Sequence, residues 1–157
     1  MKETDLEKRI RILEDVEAIK KVKAKYWYCL ERKLWDKLPE VFAEGVIDYL
    51  GDGQIGCQGK KDVVKHLVDL LDKGGVNLHR GHSPMIEITS ETTATGKWDM
   101  YVYMEFDPRA KRGHEQWGSY EDEYVKEDGK WKIKSWKFNC ARIEQWNRDP
   151  QNTIPLK

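Results

Sequence analysis

Leu6, Ile10, Leu13, Ile19, Val22 and Tyr26 recur near helical spacing with Lys, Arg and Glu between them, which predicts one long amphipathic helix ending within residues 30–33. Residues 35–43 predict a short second helix, with Asp36 as its N-cap and Pro39 in its first turn, where proline is tolerated. A strand over 46–50, a Gly-Asp-Gly turn at 51–53 and a short return strand over 54–58 come next. Gly59 precedes a third helix with Val63, Val64, Leu67, Leu70 and Leu71 as its stripe, stopped by Gly74 and Gly75.

Beyond residue 75 the period changes from helical to alternating. Residues 77–89 contain an alternating run at 85–89. Residues 93–106 predict a long strand with Trp98, Met100, Val102 and Met104 on one face and Asp99, Tyr101, Tyr103 and Glu105 on the other. Both faces carry apolar or aromatic groups, so both are expected to pack against something. Residues 107–118, rich in Arg, Lys, Gly and His, predict a polar loop, whose run 109–114 is expected to lie exposed or to gate a cavity mouth. Residues 120–125 and 131–138 predict a hairpin around Asp128-Gly129. The tail, 148–157, has two prolines and no periodicity. Helices first and a meander afterwards is an α+β order. A long twisted antiparallel sheet covered by helices curls into a cone, with a cavity at its open end.

A chain of 157 residues fits a single domain, 1–157, with one core. Hydrophobic residues make up 39% and aromatic residues 11%, too many for a disordered chain. Basic and acidic residues balance at 28 each, which argues against a nucleic-acid surface. No apolar run reaches the ~20 residues of a membrane span, and the charged N-terminus does not read as a signal peptide. Cys29, Cys57 and Cys140 are scattered without a CxxC pair, so neither a zinc site nor a disulfide framework is expected. A cytoplasmic setting follows. The histidines are His66, His79, His82 and His114. His66 is expected to face out of its helix, His114 to sit solvated in the loop, and His82 to orient a turn before Ser-Pro. No third ligand converges with His79 and His82, so no metal is expected.

The segments IKKVKAKYWYCLERKLWD (19–36), HRGHSPMIEITSETTATGKW (79–98) and YEDEYVKEDGKWKIKS (120–135), together with the element order, resemble the SnoaL-like family of the nuclear-transport-factor-2-like fold. The likeness runs from about residue 15 to 150 and is greatest to the bile acid 7α-dehydratase branch. It extends more distantly to hexachlorocyclohexane dehydrochlorinase and scytalone dehydratase. The resemblance implies a lyase that removes water or HX without metal or organic cofactor, and an oligomer, trimer or dimer. The branch's helix tyrosine falls on Tyr26, its carboxylate on Glu31 and its histidine on His79. Its strand aspartate falls on Val102 and its late arginine on Cys140, with Arg142 two positions on.

On that resemblance His79 is the base, since its ordinary pKa lies near working pH. Glu31 orients the ring and stabilises imidazolium. Tyr26 donates to a substrate carbonyl. Tyr26 and Glu31 are five residues apart, about 140° round an ideal helix, so their convergence requires the pocket to wrap the helix end. Val102, Trp98, Cys140 and Tyr28 are assigned to the substrate wall. The acid for a hydroxyl leaving group is open among Tyr28, His82, Asp99 and Asp107. The expected substrate is a bulky apolar carbonyl compound of steroid or polyketide type. Two rivals stand beside the lyase: a non-catalytic binding protein on the same cone, and a subunit that serves mainly to assemble with other chains.

Overall fold

A computed structural model describes residues 4–106 and 112–147. The order is α1 (Asp5–Glu31), a 3-10 helix (Leu38–Val41), β1 (Phe42–Tyr49), β2 (Ile55–Gln58), α2 (Lys60–Leu71), β3 (Asn77–Ile88), β4 (Thr93–Glu105), β5 (Arg112–Glu127) and β6 (Lys130–Asn147). The tail from residue 148, residues 107–111 of the expected loop, and with them the candidate acid Asp107, lie outside the described residues.

Thr4 starts α1 with a capping box: its hydroxyl accepts from the Glu7 N–H at 3.2 Å, and the Glu7 carboxylate accepts from the Thr4 N–H at 2.7 Å. The expected apolar stripe is only half realised. Leu6 and Leu13 are 63% and 67% exposed and Ile10 is exposed as well, so packing starts further along. The buried side is Asp15, Ile19, Lys23, Tyr26, Trp27, Cys29 and Leu30. Two charged residues therefore sit where spacing alone predicts apolar ones. Lys33 ends the helix in the left-handed region (φ 52), and its ammonium donates to the carbonyls of Asp72 at 2.6 Å and Gly74 at 2.9 Å. That clamp fixes the end of α1 beside the end of α2.

The second expected helix is reduced to one 3-10 turn. Asp36 does not cap it; Lys37 occupies that position without a side-chain bond, and Phe42 is already extended. The six strands form one sheet in the order β2-β1-β6-β5-β4-β3. The pairing is antiparallel except between β1 and β6, which run parallel, a departure from the all-antiparallel expectation. The long intervening chain supplies the crossover that parallel pairing needs. Polar residues 112–118, expected as loop, instead extend β5, because they pair one for one with β4 from Glu105↔Gly113 to Met100↔Gly118. Such ladder pairing overrides weak local propensity. The Asp128-Gly129 turn has positive φ at both positions (49 and 72), the geometry that suits a two-residue hairpin.

Alternation on β4 sets the faces. Trp98, Met100 and Val102 are buried, while Lys97 and Asp99 are exposed. The inward row continues on β5 with Tyr120, Asp122 and Tyr124. α1 lies over this face, with the Trp27 and Trp98 rings edge to face at 5.2 Å. Gly81 on β3 permits that approach, since a Cβ there would stand 1.8 Å from the Trp27 ring. Tyr26 packs on Phe42 and Trp136, both at 5.8 Å, and each such ring pair adds about 0.5–1.5 kcal/mol beyond area burial. α2 closes the remaining side with Val63, Leu67 and Leu71. The opposite sheet face carries half-buried ring pairs, Tyr101 with Trp117 at 5.7 Å and Tyr103 with Trp146 at 5.4 Å. No helix among the described residues is long and apolar enough to cross a membrane.

Candidate active site

Between α1, α2 and the inward face of the sheet lies a cavity of about 230 Å³. Leu30, Leu67, Leu71, Val102, Met104, Trp136 and Phe138 make most of its wall apolar. Its polar groups are Tyr26, Asp48, His66, His79, His114, Gln116 and Tyr120. Low polarity raises the energetic cost of any charge formed inside.

His79 projects from β3, opposite Val102 in register. It is 7% exposed, and its Nδ1 is buried without a hydrogen-bond partner. Burial, reinforced by the positive charges of Lys23 and Arg80, holds its pKa down at about 4. The imidazole is therefore neutral at neutral pH. Tyr26 from α1 and Tyr120 from β5 share a side-chain hydrogen bond, and burial raises both phenols above their ordinary range. Both hydroxyls stay protonated, and because one donates to the other, the pair keeps one O–H to donate into the cavity. Lys23 stands behind them, its ammonium 4.1 Å from the Tyr120 ring centre and 5.1 Å from that of Tyr26.

Lys23 is itself closed off from solvent. It pairs with Asp122 at 2.7 Å, with both side chains 0% exposed. The Tyr124 hydroxyl donates to Asp122 at 2.6 Å, and Trp98 Nε1 donates to the Tyr124 oxygen at 3.0 Å. Burial pulls the Lys23 pKa down while Asp122 opposes that pull. This network has its hydrogen-bonding capacity turned inward and supports the tyrosine pair from below.

The expected pairing of Glu31 with the His79 ring is not formed. The Glu31 carboxylate instead accepts from the His79 backbone N–H at 2.8 Å and from the Arg80 guanidinium. Its surroundings are an outer recess formed with Arg32, Lys33, Gly75 and Arg80. The five-residue spacing from Tyr26 explains this: the helix stays regular to Glu31, so the carboxylate points to the β3 edge and away from the cavity. Glu31 positions the strand that carries His79.

Of the expected wall residues, Val102 lines the cavity. Trp98 does not; it is core, engaged with Tyr124 and Trp27. Tyr28, two residues past Tyr26 and so about 200° round the helix, is 51% exposed with the Arg32 guanidinium 3.9 Å from its ring. Cys140 is exposed, its thiol 3.4 Å from the Arg142 carbonyl, and it begins a stretch of β6 that is exposed from residue 140 to 145. Arg142 pairs with Glu144 and lies near Trp117, away from the cavity. Among the candidate acids, His82 and Asp99 are exposed like Tyr28.

Sequence reasoning missed several polar groups. His66, expected to be solvated, lines the cavity from α2 although largely exposed. His114, expected in a loop, is buried on β5; burial lowers its pKa, and its Nε2 lies 3.1 Å from Gln116 Nε2. The most consequential omission is Asp48 on β1, whose carboxyl is pushed by burial up to about 6 against the pull of His66 and Lys23. A signal existed: Val46 is fully buried, and alternation puts Asp48 on the same strand face. An acidic residue on an inward face is the informative exception to look for. Among the described residues no group of three or more His, Cys, Asp or Glu is arranged to hold a metal ion.

A family model described as a SnoaL-like domain matches residues 11–137. Among solved structures, a candidate scytalone dehydratase from Novosphingobium aromaticivorans superposes with a TM-score of 0.79 at 19% identity, covering 94% of this chain and 99% of that one. A hexachlorocyclohexane dehydrochlorinase (LinA) of type 2 gives a TM-score of 0.79 at 13% identity, with 92% and 99% covered. LinA type 3 from Novosphingobium barchaimii gives 0.78 at 13% identity, with 90% and 99% covered. At these identities the likeness is one of fold.

Proposed function

The chain belongs to the SnoaL-like domain family, and from that premise we propose that it is a cofactor-independent, dehydratase-like lyase acting on a small apolar carbonyl compound. The observation that carries this reading is a desolvated, neutral imidazole in the same apolar cavity as a hydroxyl pair kept protonated by burial. In this reading the Tyr26–Tyr120 pair donates to the carbonyl oxygen, where negative charge grows as the neighbouring carbon loses its proton. His79 accepts that proton. The positive charge of Lys23 beneath the tyrosines favours the developing oxyanion. It also disfavours imidazolium, so the proton must leave His79 again quickly.

Size narrows the substrate. Ligand cavities for drug-sized molecules run about 300–1,000 Å³, and 230 Å³ lies below that range. A compound of one or two rings suits this space better than a four-ring steroid. Homo-oligomer formation, as trimer or dimer, belongs to the same proposal, supported by the half-buried ring pairs on the sheet face that no helix among the described residues covers. His79→Ala tests the base: turnover is expected to fall about 100-fold or more, and a loss under about tenfold excludes the role.

One observation favours a second reading, a binding protein without turnover. The His79 ring lacks the carboxylate that ordinarily stabilises imidazolium, its Nδ1 having no partner. Retention of small cyclic ketones with no conversion of any β-substituted ketone in a panel supports that reading.

A further inference from the structure

Loss of water asks more of a site than loss of halide, because hydroxide is a poor leaving group without a proton. The cavity holds a group fitted to supply one. Asp48 sits on β1 and His79 on β3, with β6, β5 and β4 between them in the sheet. The sheet curls so far that both side chains line one chamber. The Asp48 carboxyl forms no ion pair or hydrogen bond among the described residues, unlike Asp122, Glu31 and Asp15, each held by a cation or an N–H. We propose that Asp48 is the proton donor to the leaving oxygen, opposite His79, so that the cavity takes β-hydroxy carbonyl compounds.

The proposal rests on the lyase reading and completes it. The C–H electron pair becomes the new C=C bond as the proton passes to His79. The C–O bond breaks toward oxygen, which takes the Asp48 proton and leaves as water. His79 ends with one proton more and Asp48 with one fewer, and proton return through solvent resets both. Environment supports the assignment. Burial drives the two groups in opposite directions, the carboxyl up to about 6 and the imidazole down to about 4. Between those values the carboxyl holds its proton while the imidazole is bare, which separates acid from base in one cavity. The titratable and charged groups around Asp48 are Lys23 and Tyr26 from α1, His66 from α2, Cys57 from β2 and Tyr120 from β5. Those around His79 are Lys23 and Glu31 from α1 and Arg80 from β3.

The test compares two leaving groups on one ring, 3-hydroxycyclohexanone and 3-chlorocyclohexanone, corrected for uncatalysed loss. Asp48→Asn is expected to lower kcat/KM for water loss about 100-fold or more and for chloride loss less than about threefold, whereas His79→Ala lowers both. Equal losses on the two compounds in Asp48→Asn, or none on either, overturn the donor role. If the wild type converts neither compound, the lyase reading fails for this substrate class, and binding decides Asp48 separately. 3-Methoxycyclohexanone offers an ether oxygen that only accepts, so its affinity is expected to weaken about three- to tenfold from pH ~5 to pH ~8. Cyclohexanone shows no such trend, and Asp48→Asn removes the difference. A pH-independent affinity for the ether in the wild type overturns the proposal.

Discussion

Asp122 and Asp48 are both carboxylates turned inward from the same sheet, and the protein treats them in opposite ways. Asp122, deep under α1, meets the Lys23 ammonium and the Tyr124 hydroxyl within 3 Å. Asp48 faces the cavity with His66 and Lys23 acting on it only at range, and its pKa rises to about 6. A buried charge that is paired serves the architecture; one left unpaired gives up its charge instead. Both carry the same functional group, and only the second faces the cavity.

The largest expected break in that contrast is at the paired site. Lys23→Met leaves Asp122 uncompensated and is expected to destabilise the fold by about 3–5 kcal/mol in denaturant titration, with Lys23→Met/Asp122→Leu recovering most of the loss. At the cavity, His79→Ala is expected to remove at least about 2.7 kcal/mol of transition-state stabilisation, the equivalent of 100-fold, while leaving the Lys23 network in place.

Asp48→Asn sharpens the comparison through the sign of its pH dependence. The folded carboxyl has a raised pKa, so its contribution to stability is fully present below about 3.8 and is lost as pH rises to about 6. Removing the charge should therefore raise Tm relative to wild type at pH ~8 and give no such gain at pH ~3. His79 runs the other way. Its folded pKa is depressed, so stability present above about 6.5 is lost as pH falls to about 4. The smallest effect belongs to Glu31→Gln. Its amide still accepts from the His79 N–H, so turnover is expected to change less than about threefold and stability by less than about 1 kcal/mol. A loss near that of His79→Ala would restore the direct Glu31–imidazole partnership suggested by resemblance.

Period alone made the two α-helices, the β4 faces and the Asp128-Gly129 turn legible, because each depends on local geometry. It failed where tertiary pairing decides. Residues 112–118 look like loop until β4 offers them a ladder, and the β1–β2 hairpin, legible from its turn, gives no local sign that β6 pairs in parallel on the other edge of β1. The site divides similarly. Tyr26, His79 and Val102, the positions on which the resemblance places a tyrosine, a histidine and a strand residue of the site, share the cavity. Trp98, Tyr28 and Cys140 were misassigned because closeness in sequence to a motif says little about direction round a helix or distance along a strand. Glu31 was assigned to the correct strand but to its backbone's neighbour, the ring. Asp48 and Tyr120 were overlooked although alternation with Val46 and Tyr124 marked both as inward.

The most direct test of the account is a site-resolved NMR titration of the Asp48 carboxyl carbon and the His79 ring in the wild-type protein. The account predicts an inverted order, with Asp48 losing its proton near pH 6 and His79 staying neutral down to about pH 4. Ordinary values, about 3.9 for the aspartate and about 6.5 for the histidine, would contradict it, because the cavity would then hold neither a bare base nor a protonated acid at the same pH.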